Sequence, residues 1–196
     1  KNHGSTEIIH REHSGELKKT YYKDTEIRIK KLSAALLMHG ICAGEKVGTI
    51  AWSNLRHFEL YYGVACIGAI CHTINPRLFL EQIIFIINDA KDKILFVDLD
   101  LLEIIEKITD KINCVEKIVV LCDPENMPMQ NKIKQELYNY ENFIDVNGIK
   151  NWPSFSENSA SSLCYTSGTT GNPKGVLYSH RSTIIHTIAA ANPDAL

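Results

Sequence analysis

The chain has 196 residues, 44% of them hydrophobic and 22% charged, with a formal net charge of −2. That composition excludes a disordered tail, a collagen-like repeat and a disulfide-dense miniprotein. It also leaves no chain-wide field to attract nucleic acid or an anionic membrane. The sequence opens at Lys1 rather than Met and stops at Leu196 just after a helical pattern, so it reads as a piece of a longer chain.

Residues 1–22 read as a β-hairpin, with Glu7–His10 and Leu17–Tyr21 flanking the turn at Ser14-Gly15. Residues 23–122 read as strands alternating with helices. Ile29, Leu32, Leu36 and His39 share a helix face, and Gly40 stops that helix. Four short apolar runs follow, starting at Val47, Ala69, Ile94 and Ile118, with 22, 25 and 24 residues between starts. They are apolar throughout rather than alternating, as strands buried on both faces are.

Helical patterns fill the gaps. Leu55–Ile67 is one, capped by Ser53 or Asn54. Leu80, Ile83, Ile84 and Ile87 mark the next, and Leu101, Ile104, Ile105 and Ile108 the third. This alternation predicts an α/β fold, a parallel sheet flanked by helices. Ligands of such sheets bind beyond the carboxyl ends of the strands. Asn75-Pro76-Arg77 falls just past the second apolar run and so on that rim.

Residues 123–160 read as an irregular connection broken by Pro124, Pro128 and Pro153, with a short helix over Ile133–Tyr140. Residues 161–196 read as strand, loop, strand and helix, the start of a second α/β subdomain. The remaining strands of that second sheet are missing here, so apolar surface on this last part is expected to be exposed.

The cysteines, Cys42, Cys66, Cys71, Cys114, Cys122 and Cys164, form no Cys-x-x-Cys pair and have no His at zinc-ligand spacing. They read as buried free thiols in a reducing compartment, which points to the cytoplasm. The longest charge-free stretch, Leu60–Pro76, is interrupted by Gly63, Gly68, His72 and Asn75, so no transmembrane segment is expected. His57 and His72 read as packing histidines, His180 as a capping or packing one, and Trp52 and Tyr61 as core aromatics.

The chemistry concentrates in Tyr165-Thr166-Ser167-Gly168-Thr169-Thr170-Gly171-Asn172-Pro173-Lys174-Gly175-Val176. Gly168 and Gly171 allow positive φ and let backbone N–H groups converge on an anion. Thr166, Ser167, Thr169 and Thr170 add hydroxyl donors, and Lys174 adds a full charge. No carboxylate lies between Glu157 and Asp194 to repel a phosphate. The spacing is not the Walker pattern, because no Ser or Thr follows the Lys. That disfavours a P-loop NTPase.

This run resembles the signature phosphate loop of the AMP-forming adenylate enzymes: acyl-CoA synthetases, peptide-synthetase adenylation domains and luciferases. Ala51-Trp52-Ser53-Asn54, Gly68–Leu78 and Leu177–Ser182 are similar to the medium- and long-chain fatty-acid–CoA ligase branch.

The resemblance implies a reaction of a carboxylic acid with ATP, then with CoA. It implies ATP β- and γ-phosphates held by Thr166, Ser167, Gly168, Thr169, Thr170, Gly171 and Lys174, with Lys174 also stabilising the transition state. It implies Mg²⁺ with Thr166 as a ligand, and CoA near Arg77. The substrates are small molecules, with no nucleic acid partner, and a homodimer is one possibility for the full-length enzyme. Full members are well over twice this length, so the segment alone is expected to be inactive. A ligase for a short substituted acid such as 3-methylthiopropionate, or a truncated nucleotide-binding module, are the competing expectations.

Overall fold

A computed structural model of the chain describes residues 3–12, 15–166 and 172–192. The hairpin forms as expected. Strands β1 (Glu7–Arg11) and β2 (Leu17–Tyr21) pair antiparallel from Glu7↔Tyr21 to Arg11↔Leu17. Ser14 of the expected turn lies outside the described residues. Helix α1 (Tyr22–Met38) buries Ile29, Leu32 and Leu36. It ends where Gly40 takes φ +81°, a backbone conformation that a side chain would strain.

The four apolar runs become β3 (Lys46–Ile50), β4 (Ile70–Thr73), β5 (Ile94–Val97) and β6 (Lys117–Val120). Between them lie α2 (Leu55–Ala65), α3 (Leu80–Ala90) and α4 (Leu102–Ile108). Three further strands complete the sheet. The stretch read as a helix over Ile133–Tyr140 is instead strand β7 (Glu136–Asn139), followed by the single turn α5 (Tyr140–Phe143). Ile133 and Leu137 have helical spacing, but the free edge of β6 offers a full backbone ladder. Glu136 pairs there with Lys117, and their side chains come within 3.6 Å.

The second difference is larger. Strand β8 (Ala160–Thr166) does not open a separate sheet. It pairs parallel with β4 through Cys71↔Ser162, His72↔Leu163 and Thr73↔Cys164. Strand β9 (Lys174–Ser179) then pairs antiparallel with β8. Strands β3 to β9 thus share one seven-stranded sheet, ordered β7-β6-β5-β3-β4-β8-β9, beside the two-stranded β1–β2 sheet. Without β8, the edge of β4 would present an unpaired row of N–H and C=O groups.

Successive residues of each inner strand feed opposite cores. Val47 and Phe96 pack with Leu32, Leu36 and Leu60 on the α1/α2 side. Ile50, Leu95 and Val97 pack with Ile83, Ile87 and Ile105 on the α3/α4 side. This two-sided burial is why the strands carry no polar alternation. The terminal helix α6 (His180–Ala190) buries none of its residues, and Ile184, Ile185 and Ile188 are all exposed. The expected exposed apolar surface is therefore present.

Other expectations need correction. Trp52 and Tyr61 are not core aromatics, being 38% and 44% exposed. The six cysteines are unpaired, yet only Cys71 and Cys122 are buried, and Cys42 is exposed. Among the described residues no helix is long and apolar enough to cross a membrane.

One glycine is set by close approach. A Cβ on Gly48 would come 2.7 Å from Leu95 Cδ1 and 3.0 Å from Asp92 Oδ2. Gly48→Ala is expected to cost about 1–3 kcal/mol through overpacking. Urea unfolding measures it, and an unchanged midpoint would contradict the tight contact.

Candidate phosphate-binding site

The parallel strands send their carboxyl ends to one edge of the sheet: Ile50, Thr73, Val97, Val120 and Thr166. That edge gathers the residues singled out in the sequence. Thr166 ends β8 and Lys174 begins β9, directly opposite each other in register. Thr166 Oγ1 donates to the Lys174 carbonyl at 3.5 Å. Ser167, Gly168, Thr169, Thr170 and Gly171 lie outside the described residues. The structure thus gives the two arms of the loop. Lys174 is exposed and has no ion-pair partner among the described residues.

Arg77 stands on the same edge, past the end of β4. Its backbone N–H donates to Asn75 Oδ1 at 3.0 Å, the Asx turn expected of Asn-Pro. Its guanidinium lies 5.7 Å from the centre of the Trp52 ring. Trp52 is held in turn by its backbone N–H to Asp98 Oδ2 (2.6 Å) and its indole N–H to Asp100 Oδ2 (2.9 Å). The exposure of Trp52 has this reason: the ring is a shelf for Arg77 at the rim.

The histidines divide. His57 is fully engaged, with ring nitrogens 3.0 Å from the Trp52 carbonyl and 3.1 Å from Thr49 Oγ1, and burial lowers its pKa. Asn54, not Ser53, caps α2, accepting from His57 N–H at 2.9 Å. His180 is a packing residue, its ring 4.9 Å from that of Phe155, while Ser179 provides the cap of α6. His72 is more than packing. Fully buried, it holds Asp92 at 2.8 Å, and burial pushes the Asp92 carboxyl up despite the His72 hydrogen bond.

Sequence reasoning missed a charged network near the crossover between β3 and β5, where the chain changes direction across the sheet. A cleft of about 320 Å³ opens there, lined by Arg28, Arg56, Asn54, Asp98, Asp123 and Glu141. Its arginines are already matched. Arg28 reaches Glu59 at 2.6 Å and Glu141 at 2.8 Å, and Arg56 reaches Asp123 at 2.6 Å and Glu141 at 3.0 Å. Burial alone would raise the Glu141 pKa, but the hydrogen bonds and charges of both arginines hold it below the usual range. A phosphate entering this cleft would meet carboxylates and have to displace them. At Lys174 it would not. The electrostatics therefore favour the β8–β9 arms over the Arg28–Arg56 cleft.

No group of three His, Cys, Asp or Glu side chains able to hold a metal ion exists among the described residues. Thr166 is a single neutral oxygen. It suits a Mg²⁺ ion that arrives on phosphates and keeps most of its water, rather than an all-protein cage.

Comparison with known proteins bears on the whole chain. The model of one family, described as AMP-binding enzyme, matches residues 1–195. The medium-chain-fatty-acid–CoA ligase of Ectopseudomonas oleovorans is 47% identical over 99% of this chain and 35% of its own length. The 3-methylmercaptopropionyl-CoA ligase of Ruegeria lacuscaerulensis is 44% identical over 99% of this chain and 36% of its own. The chain thus spans about a third of the length of these relatives. An anthranilate CoA ligase crystallised with anthranoyl-AMP superposes with a TM-score of 0.78 at 23% identity, covering 88% of this chain and 32% of that one. At that identity the likeness speaks for the fold alone.

Proposed function

The chain belongs to the AMP-binding enzyme family, and on that footing we propose that it is the ATP-gripping segment of an AMP-forming fatty-acid–CoA ligase. The overall reaction has two steps. The acid's carboxylate oxygen attacks the α-phosphorus of ATP, forming acyl-AMP and expelling pyrophosphate. The CoA thiol then takes the acyl group, loses its proton and releases AMP. In the first step negative charge builds on the departing pyrophosphate, so catalysis is mostly positioning and charge stabilisation.

In this reading the loop from Thr166 to Lys174 holds the β- and γ-phosphates. The observation that carries it is the unneutralised Lys174 ammonium at the carboxyl edge, on the arm opposite Thr166 and beyond the Gly- and Thr-rich turn. Mg²⁺ would accompany ATP, with the Thr166 hydroxyl as one ligand, and would offset charge on the phosphates. The unpaired thiols support a cytoplasmic setting. A homodimer of the complete enzyme belongs to the same proposal, and size-exclusion chromatography reads it.

Reading the coding sequence past Leu196 is the decisive test. A continuing frame whose product catalyses acid-dependent ATP–pyrophosphate exchange, while the 196-residue chain does not, supports the ligase. A stop codon after Leu196 overturns it in favour of a nucleotide-binding module. The 44% identity to the Ruegeria enzyme favours one other substrate reading, a short sulfur-containing acid. A profile of kcat/KM against acyl chain length separates the two.

Arg77 is proposed as a CoA contact, its charge offered to a CoA phosphate from the Trp52 shelf. Arg77→Ala is expected to raise the KM for CoA about tenfold, the scale of one charge-assisted hydrogen bond, and to leave the KM for ATP unchanged. An unaltered KM for CoA removes Arg77 from the site.

A further inference from the structure

Tyr165 is the last residue of β8 before Thr166, and its side chain runs backwards across the sheet instead of toward the loop. Its hydroxyl donates to Asp89 Oδ2 of α3 at 2.6 Å. Its ring lies 5.2 Å from that of His72 on β4, tilted by 49°. His72 is itself fixed by Asp92, and both are fully buried. On the other side the ring covers Gly175 of β9. A Cβ there would come 3.2 Å from Tyr165 Cζ and 3.4 Å from its hydroxyl oxygen. Tyr165 and Gly175 are partners in the ladder, one rung below Thr166 and Lys174. One aromatic ring therefore touches β4 and both arms of the loop, and one hydrogen bond ties it to α3.

We propose that Tyr165, anchored by Asp89, is a positioning residue that fixes the spacing of the two arms from which Thr166 and Lys174 address a polyphosphate. This rests on the phosphate-binding reading above and adds how the loop's base is held. The role suits a tyrosine in particular. The ring supplies a flat surface for Gly175, and the hydroxyl supplies a donor long enough to reach α3. Phenylalanine keeps the surface and loses the anchor. A side chain at position 175 would press on the ring and on Leu163 Cδ1, 3.2 Å from each, so that one of them must shift. Burial and the Asp89 carboxylate both raise the phenol's pKa, so it is protonated, and a donor, at neutral pH.

The test compares the wild-type chain with Tyr165→Phe, Asp89→Ala and Asp89→Asn. Inorganic pyrophosphate binding is measured by calorimetry, and amide hydrogen exchange is followed at residues 164–166 and 174–176. Tyr165→Phe and Asp89→Ala are expected to weaken pyrophosphate binding about tenfold and to speed exchange at both arms. Asp89→Asn retains an acceptor oxygen and is expected to recover most of the affinity, an outcome that general destabilisation does not produce. In the ligase, the KM for ATP rises in the first two variants while the KM for CoA stays put. Wild-type affinity and wild-type exchange in Tyr165→Phe overturn the proposal. Absence of pyrophosphate binding by the wild-type chain overturns the phosphate reading instead, and the exchange comparison alone then decides whether Tyr165 holds the arms.

Discussion

Lys174→Ala in the proposed ligase is expected to lower the rate of acyl-AMP formation by roughly 10²–10³-fold, the cost of losing one preorganised donor at a site of developing charge. The magnitude follows from where the charge sits. Among the described residues Lys174 has no carboxylate to satisfy it, and the chain from Asn158 to Pro193 contains none. Its ammonium is thus available to whatever anion lies at the carboxyl edge. Arg28 and Arg56, by contrast, are held by Glu59, Glu141 and Asp123.

Charge on pyrophosphate grows as the bond to the α-phosphorus breaks, so the loss falls mainly on kcat of adenylation. If Lys174 only held ATP in the ground state, KM would rise with kcat unaltered. Single-turnover formation of acyl-AMP measures the difference. Both parameters at wild-type values would remove Lys174 from the chemistry.

Arg28→Ala is expected to destabilise the fold by about 3–5 kcal/mol, because it strands a buried charge. Glu59 on α2 has no solvent exposure, and its carboxylate is matched by Arg28 at 2.6 Å and the Tyr140 hydroxyl at 2.7 Å. Removing the guanidinium leaves one neutral donor for that carboxylate. It also removes one of the two arginines that hold Glu141. For a chain of this size the melting midpoint should fall by roughly 10 °C.

The loss should depend on pH. Glu141 has its pKa held below its ordinary 4.5 in the folded chain, so its stabilisation is complete above that value. It is lost as pH falls through the folded pKa. The gap between wild type and Arg28→Ala should therefore be widest at neutral pH and narrow on acidification below about 4.5. Urea titrations at pH 7 and pH 4 measure it, and a gap that widens in acid would contradict this account.

The sequence pattern reached every strand but β7, and lost how the outer ones pair. Val47, Ile94 and Ile118 begin runs that are apolar on both faces, a property of the strand itself and visible without its neighbours. Glu136–Asn139 is a strand because β6 lies beside it, and nothing within those four residues says so. Strand β8 is legible in its own residues, but its place in the sheet is not. Its residues alone did not reveal that β4, about 90 positions earlier, still had a free edge.

The site divides in the same way. The hydroxyl- and glycine-rich run announced itself because its chemistry is contiguous. The pairs His72–Asp92, Tyr165–Asp89 and Arg28–Glu141 join residues 20, 76 and 113 positions apart, and no local signal marks them. Trp52 misled for a related reason. Aromatic residues are usually buried, but this one is occupied by the Arg77 guanidinium on one side and Asp100 on the other.

The antiparallel turn of β9 has a thermodynamic consequence for the whole segment. The inner strands β6, β5, β3, β4 and β8 are flanked on two sides, whereas β9, like β7 at the opposite edge, has a single neighbour, and it carries a helix that buries nothing. Its ladder can open from the Thr166–Lys174 end at the expense of a few hydrogen bonds and the Tyr165–Gly175 contact, with both cores intact. The segment then has two scales of stability: a high one for the cores and a low one for the β8–β9 pair that flanks the proposed phosphate loop. Polyphosphate bound at the proposed site raises the second without touching the first.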